Sequence, residues 1–239
     1  VTPDGRPLLW KNRDTDFMRN HIDYVKGEKY NFIAVVNSAN AYLKEAWMGT
    51  NSSGFALMNT QSYNLVDVKG DEERGAANGR VIYRALEVCA TVEDFCHFLD
   101  TISKPSDIEA NFGVIDAQGG AAMFEVDYYK YVMYDANNPK DAPYGYIART
   151  NFSFAGKVNE GAGYVRYMEA DQVLMKASAT GSITPQFIFN DLSRSFRNRM
   201  LDIDLRSGAY NRPQASGWFV DQDFIPRSST SCSVVVQGV

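Results

Sequence analysis

The residues best placed to do chemistry sit where apolar runs give way to polar ones. Leu8-Leu9-Trp10 is followed at once by Lys11-Asn12-Arg13-Asp14: two cations, an amide and a carboxylate. Gly54-Phe55-Ala56-Leu57-Met58 runs into Asn59, and Tyr146-Ile147-Ala148-Arg149-Thr150 runs into Asn151. Charge at the end of a buried strand is costly unless it meets a partner or a substrate. An amide in that position can aim its N–H into a cleft and stabilise a developing oxyanion. Each group also has a plainer reading. A strand can simply run out into solvated residues, and Asn is a common turn former.

Other chemistries are poorly supplied. The sequence has no G-x-S-x-G, H-E-x-x-H, zinc pattern or phosphate-cradling glycine loop. Gly161-Ala162-Gly163 lacks dinucleotide spacing and reads as the entry to a helix, so no cofactor is expected. His21 and His97 are the two histidines. The first reads as a loop residue and the second, among Phe95, Phe98 and Leu99, as structural. Acid–base work must therefore use something other than imidazole. Cys89, Cys96 and Cys232 have no metal-ligand spacing, so no metal is expected. Cys89 and Cys96 read as buried helix residues and Cys232 as part of an apolar strand, none of them a nucleophile.

With 239 residues and a net charge of −5, the chain has an ordinary globular composition and enough length for a real core. The basic residues are scattered, which argues against a nucleic-acid surface. No apolar run reaches membrane-spanning length. Compartment is not legible, and self-association into a homo-oligomer is left open. No linker or repeat divides residues 1–239, so one domain is expected. Only Val1-Thr2-Pro3 precede the Asp4-Gly5 turn, and Gln237-Gly238-Val239 closes in strand register. Both ends therefore read as incomplete.

The elements that must position the polar residues follow from patterning. Asp4-Gly5 predicts a hairpin turn. Residues 15–29 read as a surface loop. Strands are expected at 30–36, 44–49 and 54–59, the last two joined by Thr50-Asn51-Ser52-Ser53. After a polar loop at 66–73, a helix over 75–89 puts Val81, Ile82, Ala85, Leu86 and Cys89 on one face. Thr91 with Asp94 predicts a capped second helix that stops before Pro105. Strands are then expected at 111–116 and 121–127 around a Gln118-Gly119-Gly120 turn, with continuations at 128–134 and 144–150. Helices are expected over 164–176 and from Thr184-Pro185. A loop at 206–222 and a closing strand at 231–237 complete the chain. Strands, helix pair, strands, helix pair, strand is an α+β order with antiparallel sheets, unlike a βαβ alternation.

Three of these stretches, Asp4 to Asp14, Gly54 to Asn59 and Arg149-Thr150-Asn151, resemble in that order the N-terminal-nucleophile hydrolases of the choloylglycine hydrolase and penicillin acyltransferase group. Gly163-Tyr164-Val165-Arg166-Tyr167 is similar to that group's Arg-aromatic helix start. The resemblance implies a four-layer αββα sandwich that hydrolyses or transfers the acyl group of a linear amide in an N-acylated small molecule. In such enzymes processing exposes an N-terminal Cys whose α-amino group acts as general base, so no histidine is needed. It further implies that Asp14 orients that amine, that Asn59 and Asn151 contribute to an oxyanion hole, and that Arg166 organises the site. The bile-salt branch has Arg where this chain has Lys11, with Arg13 beside the Asp instead; either cation would favour a thiolate. That difference leans the reading to the acyltransferase side. The nucleophile itself would lie upstream of Val1. Two alternatives are a catalytically silent relative that binds acylated small molecules, and an unrelated α+β interaction domain. In the latter Asp14, Asn59, Asn151 and Arg166 would not converge. Asn51-Ser52-Ser53 and Asn151-Phe152-Ser153 fit the glycosylation pattern, and both are discounted as chance matches. Aromatics in the loops (Phe17, Tyr24, Tyr63, Tyr210, Trp218) are candidates for lining an acyl pocket.

Overall fold

The computed structural model describes residues 2–66, 75–207 and 223–239. Most of the polar loop expected at 66–73 and of the loop expected at 206–222, with Tyr210 and Trp218, lies outside them. Strands β1 (Leu8–Asp14) to β8 (Tyr131–Asp135) enclose β2 (Asn20–Val25), β3 (Phe32–Asn37), β4 (Met48–Asn51), β5 (Ala56–Gln61), β6 (Ala110–Ile115) and β7 (Ala121–Val126). A short pair, β9 (Arg197–Asn198) and β10 (Ile203–Asp204), precedes β11 (Thr230–Gln237). Strands β2 to β8 form one seven-stranded sheet in chain order, every neighbour antiparallel, and β1 pairs separately with β11. The helices are α1 (Asn78–Val88), α2 (Val92–Thr101), α3 (Tyr164–Ala179) and α4 (Pro185–Phe187), the last running into a wide turn at Ile188–Leu192.

Side-chain alternation stacks these elements in four layers. One face of the large sheet, with Phe32, Leu57, Phe112 and Phe124, packs on Ile82 and Leu86 of α1 and Phe95 and Leu99 of α2. Its other face, with Met48, Met58, Ile115 and Met123, meets Leu9 of β1 and Val234 and Val236 of β11. The alternate residues Leu8, Trp10 and Val235 point the other way, onto Ala170 and Leu174 of α3. The order is helix, sheet, sheet, helix, as expected, with a narrow second sheet among the described residues. The predicted cap of α2 is present in both directions: Asp94 N–H donates to Thr91 Oγ1 (3.0 Å) and Thr91 N–H to Asp94 Oδ2 (3.1 Å). The Asp4-Gly5 turn also forms. Gly5 lies at φ +83°, its N–H reaches Thr2 O (2.9 Å), and Thr2 N–H pairs with Arg6 O (2.8 Å). This is the three-residue hairpin loop whose last residue must be left-handed.

Three expectations are corrected. Residues 20–25, read as loop and taken to hold His21, form edge strand β2. Its outward face keeps Ile22 and Tyr24 in solvent, so the polar–apolar alternation of His21-Ile22-Asp23-Tyr24 marks no buried face. The strand expected at 44–49 starts at Met48, after a turn at Ala41–Leu43. The strand expected at 144–150 joins no ladder among the described residues. It nevertheless lies in the layer of β1 and β11, because Tyr146 and Ala148 face the α3 side while Ile147 faces the large sheet.

Candidate active site

Between β1 and residues 145–151 runs a slot with an apolar and a polar half. The apolar half, about 140 Å³, lies beside Pro7–Trp10 and Gly145–Ile147, over Ile115 and Met123 and under Ile183 and Ile188. The polar half, about 750 Å³, is lined by all six residues singled out in the sequence: Lys11, Arg13, Asp14, Asn59, Asn151 and Arg166. Trp10, Met58, Met123, Ile147 and Leu174 border both halves.

The strand ends are not where the polarity change suggested. β1 continues through Asp14, so the four polar residues are part of the strand, and β5 continues two residues past Asn59. Lys11, like Leu9, faces the large sheet, and its Nζ donates to the backbone carbonyl of Asn59. Burial pulls the Lys11 pKa down to about 8; Arg13 adds to the effect and Asp14 opposes it. Arg13 is 4% exposed and clamps the end of β1 to the large sheet through the amide oxygens of Asn20 on β2 and Asn37 on β3 (Nη2–Oδ1 2.7 Å for the latter). Its guanidinium stands 4.9 Å from the Trp47 ring centroid, and burial lowers its pKa to about 10. Neither Lys11 nor Arg13 has a carboxylate partner within ion-pair distance among the described residues.

A bulge between Arg13 and Asp14 breaks the register with β11. Such an irregularity re-aims the following side chain, and here both neighbours border the polar half-slot. Asp14 accepts from Thr230 Oγ1 (2.5 Å) and lies 3.7 Å from Arg227 Nη1. Asn59, 3% exposed, has a buried Oδ1 with no partner, and its side chain makes no hydrogen bond with the described residues.

Asn151 is held differently. Its Nδ2 donates to Gln61 O (2.8 Å) and approaches Thr60 Oγ1 (3.4 Å), while its Oδ1 accepts from Arg166 Nη2 (2.9 Å). Arg166 also pairs through Nε with Asp223 Oδ1 (2.6 Å). It projects from the first turn of α3, whose entry is Gly163 at φ +82°; a Cβ there would come within 2.7 Å of Arg166 Nη2. The segment carrying Asn151 is tied down by buried polar contacts that sequence reading did not find. Asn111 Nδ2 donates to Thr150 O (3.1 Å) and Phe152 O (3.0 Å). Glu125, on β7, pairs with Arg149 (2.6 Å) with both side chains nearly solvent-free, and accepts from the N–H groups of Phe154 (2.9 Å) and Ala155 (2.7 Å). A lone Glu among apolar residues in Ala121-Ala122-Met123-Phe124-Glu125-Val126 was the available signal.

The cysteines stand apart from this cavity. Cys89 is buried at the end of α1, where burial pushes its thiol up to about 12. Cys96 lies on α2, and Cys232 on β11 opposite Arg13; none of the three borders the polar half-slot. His97 is exposed on α2. Among the described residues, no cluster of His, Cys, Asp and Glu could hold a metal ion, and no helix is long and apolar enough to cross a membrane.

Four stacked layers with a strand-flanked polar cavity are the architecture of the N-terminal-nucleophile hydrolases. The sequence profile described as acyl-coenzyme A:6-aminopenicillanic acid acyl-transferase matches residues 1–180, and the chain belongs to that family. No curated sequence matches it. Among solved structures, the Caenorhabditis elegans ortholog of N-acylethanolamine-hydrolyzing acid amidase aligns with a TM-score of 0.51 at 15% identity, over 80% of this chain and 86% of that one. A variant of conjugated bile acid hydrolase from Clostridium perfringens aligns at 0.47 and 13% identity, over 80% and 72%. Penicillin V acylase from Agrobacterium tumefaciens aligns at 0.43 and 16% identity, over 77% and 71%. At these identities the likeness concerns the fold.

Proposed function

We propose that this chain carries the active site of an enzyme that hydrolyses or transfers the acyl group of a linear, non-peptide amide, using a cysteine upstream of Val1 as nucleophile. The observation that supports it is the slot. Among the described residues β1 pairs with β11 along one edge only, and residues 146–148 lie in the same layer with strand-like alternation but no ladder partner. Neighbouring strands lie about 4.8 Å apart, so one strand between two others fills a gap of about 10 Å. The hairpin loop at Thr2–Arg6 directs whatever precedes it antiparallel to β1, from the apolar half of the slot toward the polar half. Continuing that register, the upstream residues facing the large sheet opposite Lys11 and Arg13 fall about four and about six places before Val1. A cysteine at one of these places would sit beside Lys11, Asn59 and Asp14.

In this reading the thiolate attacks the amide carbonyl while Asn59 Nδ2 donates to the oxygen that becomes negative. The orphaned Asn59 Oδ1 gains a donor in the cysteine's α-ammonium group or the substrate N–H. Asp14, fixed by Thr230, holds the α-amine. That group takes the thiol proton and returns it to the departing amine as the carbon–nitrogen bond breaks. Water or a second acyl acceptor then releases the thioester. Lys11 and Arg13 stabilise the thiolate, and Arg166 holds Asn151 against β5. The second N–H of Asn151, only 3.4 Å from Thr60 Oγ1, remains the weaker oxyanion donor.

The test uses the complete gene product incubated with N-acyl aminocoumarins of graded acyl length. Fluorescence release, with an acyl adduct on the N-terminal peptide by mass spectrometry, is expected. Asn59→Ala should lower kcat about 10²- to 10³-fold with unchanged folding. A mature N-terminus without a nucleophilic side chain, or turnover that survives its replacement by Ala, overturns the assignment. Binding without turnover would instead favour the silent relative.

A further inference from the structure

Four of the residues bordering the polar half-slot carry a buried side-chain polar atom without a partner among the described residues: Asn12 Oδ1, Trp47 Nε1, Asn59 Oδ1 and Arg227 Nε. Asn59 is accounted for by the reading above. Trp47 is not. Its indole N–H can only donate, and a buried donor left unmade is unfavourable in any fold. The ring has little freedom to turn the N–H toward water. Arg13 packs 4.9 Å from its centroid, α1 approaches so closely that a Cβ on Gly79 would lie 3.2 Å from the indole, and the Trp47 backbone N–H is fixed on Val35 O (3.0 Å). A rigid unsatisfied donor on the wall of a cavity is suited to an acceptor that arrives with a ligand.

The two ends of the cavity differ in what they can receive. Met58, Met123, Ala170, Leu174 and Ile225 offer apolar surface, whereas the Trp47 end carries Arg13, Asp14 and Arg227. An acyl chain belongs against the first group, so the amine portion of the substrate extends to the second. We infer that Trp47 is a specificity-determining residue whose indole N–H donates to an oxygen acceptor on the amine portion of the substrate. The inference rests on the amide-cleaving reading. The acceptor chemistry is shared by a hydroxyl, as in an N-acyl ethanolamine, and a carboxylate, as in an N-acyl glycine. The neighbouring Arg13 and Arg227 guanidiniums favour the carboxylate of the two.

The experiment compares one acyl chain joined to glycine, ethanolamine or propylamine, using the complete protein and its Trp47→Phe variant. Phenylalanine keeps an aromatic ring beside Arg13 and removes the donor together with part of the ring volume, a packing loss that acts alike on all three substrates. The variant is expected to lose about tenfold in kcat/KM for the glycine and ethanolamine amides, mainly through KM, and to keep the propylamide within about twofold. A larger loss for the glycine amide than for the ethanolamide marks the carboxylate as the natural acceptor. An equal loss on all three substrates, or on none, overturns the inference. Calorimetric binding of the same amides to a variant in which the upstream nucleophile is replaced by Ala separates the two readings. A Trp47-dependent affinity difference there, together with no turnover by the complete protein that keeps its nucleophile, would sink the catalytic proposal and leave this one standing. Equal affinities in both proteins would sink this one alone.

Discussion

Lys11 offers the sharpest physical test, because its ammonium group sits against a carbonyl and another cation with no carboxylate within ion-pair distance among the described residues. Its pKa falls from 10.5 to about 8 on folding, chiefly through burial. Below pH 8 both folded and unfolded chains hold the proton, and the folded state carries the full penalty of a desolvated charge. Between pH 8 and 10.5 the unfolded chain still binds the proton and the folded one does not, so stability rises with pH. At about 1.4 kcal/mol per decade the whole effect is about 3 kcal/mol. Lys11 keeps partial contact with the cavity, and screening there reduces the expected gain to about 2 kcal/mol between pH 7 and 10. The assay is urea unfolding of the protein and of Lys11→Met at half-unit pH steps, with m required to stay constant. Tyrosines and cysteines that titrate in the same window are common to both proteins and cancel in the difference. The wild type should gain about 2 kcal/mol on the variant across this range. A difference that stays flat, or moves in favour of Lys11→Met, refutes the burial argument.

Two further outcomes follow from contacts outside the cavity. Thr91→Ala removes one half of the α2 capping box and should cost about 1 kcal/mol, a fall in Tm of about 2–4 °C by calorimetry, with activity unchanged. Glu125→Gln leaves Arg149 buried without its counter-ion and should destabilise by about 3–5 kcal/mol in chemical denaturation. The double variant Glu125→Gln/Arg149→Met should recover only part of this, because the Phe154 and Ala155 N–H groups still need a strong acceptor. Full recovery would show that the ion pair alone holds the 149–155 segment.

Much of the architecture is written locally. The Thr91–Asp94 cap, the left-handed Gly5 in its hairpin loop and the apolar faces of α1 and of the strands from β3 to β8 each depend on residues within a few positions of one another. A single pass along the chain can read them. The sequence gives no comparable signal for β2, because an edge strand with Ile22 and Tyr24 in solvent is held by its pairing with β3. Residues 146–150 mislead in the opposite sense. They have a strand's composition and a strand's alternation, but a ladder needs a neighbour, and the adjacent edge of β1 is a slot away.

The site divides in the same manner. Lys11, Arg13, Asp14, Asn59 and Asn151 stand at the margins of apolar runs, unusual enough to notice one stretch at a time, and the family resemblance added Arg166; the fold brings all six to one cavity. Which partner each of them meets was decided only by tertiary structure. Arg13, expected to favour a thiolate, is held by two asparagines of the large sheet and so clamps β1 to it. Asn151 uses its better hydrogen bonds to brace β5 and Arg166, while the Asn59 side chain is left without a partner among the described residues. Trp47 and Asn111 carried no mark of their importance, and Glu125 only that of a lone charge in an apolar strand. Hydrogen bonds and desolvation act over a few ångströms of space, and the groups they join here lie tens to hundreds of residues apart along the chain. Periodicity along the sequence therefore determines the layers, and the packing of those layers determines which donors and acceptors remain for a substrate.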